Sequence, residues 1–189
     1  MKNNILKTAI IVLTAFAAVS CDLHEEPERT ADGELGVDPT QVVLNTEITL
    51  NLELPGTDET FFPLPDTVMH RFVVEAYNRD REVVNRQVLY DKDLSARTFS
   101  LPVSMRLHAT AYRIVVWSDY VRISDPDAQL YYNADILTPV INNGNYRGCA
   151  NAKDTFSGYI DIDLLPYADE WNARVDAAIE LKRPMGRYE

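Results

Sequence analysis

The sequence predicts an all-β protein, a two-sheet Greek-key sandwich. Three observations carry that expectation. No stretch sustains a helical period. Several short runs alternate apolar and polar residues with a period of two. Turn chemistry recurs along the chain, at Pro55-Gly56, Asn78-Arg79-Asp80, Asp91-Lys92-Asp93, Ser124-Asp125-Pro126-Asp127 and Asn142-Asn143-Gly144-Asn145.

The chain opens on MKNNILKTAIIVLTAFAAVSC. Lys2 and Lys7 make a basic start, and from Ala9 to Val19 only Thr14 is polar. A basic segment, a short apolar core and small residues before a cut form a secretory leader. The apolar run is well short of the ~20 residues that span a bilayer. Ala18-Val19-Ser20-Cys21 resembles a bacterial lipobox, with Ala18 where Leu is usual. The resemblance implies cleavage between Ser20 and Cys21 and acyl chains on Cys21. Each buried CH₂ of such a chain contributes ~0.8 kcal/mol, and two or more chains give a stable anchor. Residues 1–20 are therefore expected to be a lipoprotein signal peptide. The plainer alternative is a soluble secreted protein.

Residues 21–40 read as an acidic, flexible tether without apolar period. Fully extended, residues 22–40 reach roughly 60 Å at ~3.3 Å per residue. Asp22, His24, Glu25 and Glu26 resemble the short acidic signal that sends some Bacteroidetes lipoproteins to the outer face of the outer membrane.

Residues 41–189 are expected to form the β-sandwich domain, either alone or as the first domain of a longer protein. Ile48, Leu50, Leu52 and Leu54 alternate with Glu47, Thr49, Asn51 and Glu53, a strand with one buried face that Pro55-Gly56 ends. Phe61 and Phe62 follow in a loop and are expected to cap the core. A second strand, Met69 to Tyr77, places Phe72, Val74 and Ala76 on one face, and Glu82 to Tyr90 returns as its hairpin partner. Thr98 to Leu101 reads as a short strand closed by Pro102. From Ala109 to Tyr120, Tyr112, Ile114 and Val116 share one face, while Val115 and Trp117 share the other. Apolar residues on both faces mark a central strand covered on both sides. Cys149 to Phe156 reads as one helical turn, and Tyr159 to Asp163 alternates again. The last strand, Ala173 to Leu181, turns Val175, Ala177, Ile179 and Leu181 inward, and Pro184 closes it. A strand, a corner and the start of another strand at this end imply an open sheet edge.

The chain has 189 residues and a net charge of -11; loss of the leader with Lys2 and Lys7 takes the balance to -13. That acidity excludes a nucleic-acid partner, since no net positive charge is available to release counterions from phosphates. The only cysteines are Cys21 and Cys149, so neither a disulfide nor a cysteine zinc site is expected. His24, His70 and His108 are far apart, and no metal is expected. Asp161 and Asp163 share a strand face, which suits a calcium site or acid–base work, but the solvent side of an edge strand is the preferred reading. There is no Gly-rich phosphate loop, G-x-S-x-G elbow or H-E-x-x-H motif. No catalytic residue, cofactor or enzymatic activity is expected.

RFVVEAYN, YRIVVWSDY, YRGCANAKDTFSGY and AAIELKRPMGRYE, following the lipobox and acidic tether, resemble the N-terminal domain of the Bacteroidetes fimbrillin superfamily. The similarity is to its FimB-like fimbrial anchor group and relatives. It implies a transthyretin-like sandwich, followed in the family by a second one. It also implies a structural or anchoring role in surface fimbriae. In that role acyl chains on Cys21 hold the outer membrane and fimbrial subunits associate by strand pairing. In the family an Arg-directed protease clips fibre subunits, and Arg29 is the basic residue of the tether. The competing reading is a surface lipoprotein that binds glycan through Trp117 or Trp171. Trp117 is expected in the core, and Trp171 lies in a loop.

Overall fold

The computed structural model describes residues 38–55, 66–94, 96–137, 140–142 and 154–184. One compact unit runs from Pro39 to Glu189. Its strands are β1 (Val43–Glu53), β2 (Val68–Tyr77), β3 (Val83–Asp91), β4 (Thr98–His108) and β5 (Ala111–Arg122). Two short strands follow, β6 (Tyr132–Asn133) and β7 (Ile141–Asn142), and then β8 (Phe156–Asp163) and β9 (Asn172–Glu180).

They form a three-stranded sheet in the order β4-β1-β9 and a four-stranded sheet in the order β3-β2-β5-β8. The chain passes back and forth between the two: β1 in the first, β2 and β3 in the second, β4 in the first, β5 in the second. This interleaving is the Greek-key, transthyretin-like order. β1 pairs antiparallel with β4 and parallel with β9. Every pairing in the larger sheet is antiparallel.

Alternation explains the sandwich. On β1, Leu44, Ile48, Leu50 and Leu52 turn inward, with Leu54 just past its end; Leu101, Val103, Met105 and Leu107 do so on β4, and Ala173, Ala177 and Ile179 on β9. They meet Phe72, Val74 and Ala76 of β2 and Ile114, Val116 and Tyr120 of β5 in one core. Each fully buried large apolar side chain contributes about 1.5–3 kcal/mol. That is how a sheet of three strands holds a sheet of four.

The register of β2 agrees with the sequence expectation, and β2 and β3 form the expected hairpin with a bulge at Ala76/Tyr77. The central strand is β5, flanked by β2 and β8. β4 departs from expectation. It does not stop at Pro102 but runs on to His108. Pro102 lies opposite Thr49, and β4 is an edge strand. The proline nitrogen, with no hydrogen to donate, therefore falls on the outer side where no ladder is interrupted. The helical turn expected from Cys149 to Phe156 is also corrected at its end, because Phe156 opens β8. Cys149 itself, like Phe61 and Phe62, lies outside the described residues.

The corner after β9 joins the two sheets. The Leu181 amide donates to Glu53 O at 2.9 Å, the last rung against β1. One residue later, Lys182 and Ser157 exchange two bonds of 2.9 Å, so the chain has crossed to the edge of β8. Arg183 then pairs with Asp154, with Nη2 2.8 Å from Oδ2.

Candidate functional site

The outer face of the larger sheet carries polar chemistry that periodicity alone does not announce. Direct cross-strand partners set its rows. One row holds Tyr90, Arg71 and Asp119; the next holds Val88, Val73, Trp117 and Ser157. A third holds Arg86, Glu75, Val115 and Tyr159, and a fourth Tyr77, Arg113 and Asp161.

The β2 and β5 positions of the upper rows are covered, while Val88 and Tyr90 on β3 stay exposed. The segment after β5 folds back so that Tyr132 and Ala134 bury Val73 and Trp117 in a second, small apolar cluster. Tyr132 meets Trp117 edge-on, with centroids 5.7 Å apart. Polar groups pin this cover. Arg71 grips Asp119 with two bonds, Nε to Oδ1 at 2.8 Å and Nη2 to Oδ2 at 2.6 Å. Its third donor, Nη1, reaches Gln129 Oε1 at 2.9 Å, and the same oxygen accepts from the Ala134 amide. Arg86 pairs with Glu75 and donates to Ala134 O, and the Tyr77 hydroxyl donates to Glu75. Burial pushes the Asp119 carboxyl above the usual carboxylate range, while the Arg71 donors pull it back.

The lowest row is open. Arg113 and Asp161 form a two-bond pair, Nε to Oδ1 at 2.7 Å and Nη2 to Oδ2 at 2.8 Å, with both side chains more than half exposed. The guanidinium holds the Asp161 carboxyl below the usual carboxylate range. It also lies over the ring of Tyr159, 4.5 Å from the centroid. Beside this row is a groove of about 810 Å³, lined among others by Tyr77, Arg79, Arg81, Tyr112, Arg113 and Asp161.

The predicted site residues fall in three groups. Ser20, Cys21, Asp22, His24, Glu25, Glu26 and Arg29 lie outside the described residues. Asp161 and Asp163 are both exposed on β8, as the edge-strand reading requires. Asp161 pairs with Arg113, and Asp163 Oδ1 accepts from the Leu165 amide at 3.0 Å. Trp117 is buried, but under the cover segment rather than between the sheets. Trp171 is 71% exposed. Among the described residues no group of three or more His, Cys, Asp or Glu side chains could hold a metal ion. No helix among them is long and apolar enough to cross a membrane.

Sequence reasoning misses Arg71–Asp119 and Arg86–Glu75. Their one sequence signal is Arg71 and Glu75 at even spacing on a strand otherwise apolar on both faces, where an unpaired charge is costly to bury.

Fold and outer face together define an all-β sandwich with one partly covered, polar face. The chain belongs to a family of unknown function, DUF6562, whose model matches residues 39–189. No curated protein matches it. Among solved structures it is similar to a candidate polysaccharide-binding protein (DUF1812) from Bacteroides thetaiotaomicron VPI-5482. That likeness has 12% identity and a TM-score of 0.44, over 73% of this chain and 47% of that one. A fimbrial assembly protein from Parabacteroides distasonis ATCC 8503 matches at 12% identity and a TM-score of 0.38, over 75% and 54%. The fimbrial anchor protein Mfa2 from Porphyromonas gingivalis matches at 14% identity and a TM-score of 0.43, over 72% and 50%. The chain spans about half the length of these structures.

Proposed function

We propose that the protein is a lipid-anchored component of the cell envelope that serves surface fimbriae as a structural or anchoring subunit. The observation that carries this reading is the leader ending in Ala18-Val19-Ser20-Cys21, followed by the acidic residues Asp22, Glu25 and Glu26. Acyl chains on Cys21 tether the outer membrane, the charged segment 21–40 spaces the sandwich from it, and no catalysis is involved. The open flank of β9 supports the assembly role. Among the described residues β9 pairs with a strand, β1, on one side only, and a further strand on its other side would extend the sheet.

Two measurements test the reading. Cells grown on labelled palmitate are expected to label the wild-type protein, and Cys21→Ser to lose the label and the membrane association. Purified fimbriae are expected to carry the protein under immunogold labelling. An unlabelled wild type removes the anchor, and fimbriae that never contain the protein remove the assembly role.

A further inference from the structure

The open groove at the foot of the outer face has a use that neither the anchor nor fibre assembly requires. Its lining carries three arginines and one aspartate, on a strongly acidic chain whose Asp80 and Glu82 stand in the same turn. Of its charged lining residues, Asp161 is answered by Arg113, which leaves Arg79 and Arg81 in excess. Both are exposed, and among the described residues neither makes an ion pair or side-chain hydrogen bond.

The turn that carries them is held rigidly. Asn78 Oδ1 accepts from the Asp80 amide at 3.0 Å and the Glu82 amide at 2.9 Å. Arg81 sits at φ 64°, the left-handed region that favours glycine. A long cationic side chain therefore stands where the backbone alone would select glycine.

The chemistry of the recess narrows its ligand. Its floor is the face of a sheet whose main-chain groups are engaged in the β2–β5–β8 ladder, with Tyr77 opposite Arg113 and Arg113 opposite Asp161. An extended peptide finds no ladder to join there. Recognition must run through side chains, and the two guanidiniums in excess, Arg79 and Arg81, suit a planar carboxylate. Outside the lining but on the same sheet face, the Tyr159 ring is 61% exposed, and Arg113, which does line the groove, lies over one side of it. An aromatic ring so placed offers a flat apolar surface to the C–H face of a sugar ring. The volume lies within the roughly 300–1,000 Å³ of ligand clefts.

We propose that this groove binds a carboxylate-bearing saccharide, with Arg79 and Arg81 taking the carboxylate and Tyr159 stacking on a ring. The site differs from the tryptophans that sequence alone singles out.

The test is calorimetric titration of the full chain with four probes: a uronic-acid oligosaccharide, a neutral oligosaccharide of equal length, an oligoglutamate peptide and inorganic sulfate. The uronic oligosaccharide is expected to bind, at least tenfold more tightly than the other three. Arg79→Ala and Tyr159→Ala are each expected to weaken it at least fivefold. Arg81→Gly is the decisive variant: it is expected to keep or raise the melting temperature while weakening binding at least fivefold. The proposal is overturned by no binding, by equal binding of the neutral sugar, by equal or tighter binding of peptide or sulfate, or by an Arg81→Gly protein that binds like wild type. None of these outcomes bears on acylation or fimbrial incorporation, which the earlier experiments decide separately.

Discussion

His70 faces the core between two aromatic rings, 5.9 Å from Phe72 and 4.5 Å from Tyr120 between centroids. Burial lowers its pKa from 6.5 to about 4, so it is neutral at physiological pH. Between those two values the unfolded chain takes up a proton that the folded chain refuses. The stability tied to His70 is thus complete above about pH 6.5 and is lost as pH falls toward 4. The loss approaches about 3 kcal/mol, since each tenfold difference in proton affinity between folded and unfolded chain is worth ~1.4 kcal/mol. Urea unfolding at a series of pH values should show this decline in the wild type and a flatter profile in His70→Phe. An identical slope in both would assign the acid sensitivity elsewhere. None of this is legible in the sequence. There His70 is one of three widely spaced histidines without metal-ligand spacing, because a lone imidazole says nothing of its depth until strand register places it opposite Tyr120.

Among the elements, β8 shows how closely two sheets approach when one residue lacks a side chain. A Cβ built on Gly158 would lie 2.6 Å from Ile179 Cγ2 and 3.0 Å from Glu180 O. Glycine is what lets β8 lie against the end of β9 and lets Lys182 reach Ser157. Gly158→Ala should therefore cost about 1–3 kcal/mol through overpacking. Adding Ile179→Ala should return part of that, which chemical denaturation of the two proteins would reveal. A fully stable single variant would show that the strands part without penalty. Strands are the most legible level of the sequence, since β1 and β9 alternate with a period of two and β2 and β5 are runs apolar on both faces. β4 is only half legible, because Pro102 looks like a terminator. Yet Leu101, Val103, Met105 and Leu107 keep the same period across it. Which edge of a sheet a strand occupies decides whether proline stops it, and local sequence does not carry that information.

For the molecule as a whole, the cover over Val73 and Trp117 is fastened by charges on the strands beneath it. Arg71→Met strands the Asp119 carboxylate in a buried site, a loss of about 3–5 kcal/mol. The double variant Arg71→Met/Asp119→Leu removes both charges and should recover most of it. Amide exchange at residues 129–135 should accelerate in the single variant far more than in the double. Equal protection in wild type and single variant would mean that apolar contact alone holds the cover. The sandwich and its central strand can be anticipated from the alternating runs. Most of the polar face cannot, because Arg71 and Asp119, like Arg113 and Asp161, sit 48 residues apart and meet only through the register of β2, β5 and β8. The groove escapes for the same reason: Arg79 reads as a turn residue until Arg113 is placed nearby.

β1 and β9 lie side by side and point the same way, in register from Asn45 beside Asn172 to Glu53 beside Glu180. The chain enters β1 at one end of this pair and leaves β9 at the opposite end. Tension applied between those two points drags the strands lengthwise past each other. Their hydrogen bonds then share the force at once, whereas a hairpin pulled from its open end surrenders them one at a time. The parallel pairing therefore resists most strongly a pull applied along the two strands, from the start of β1 to the end of β9.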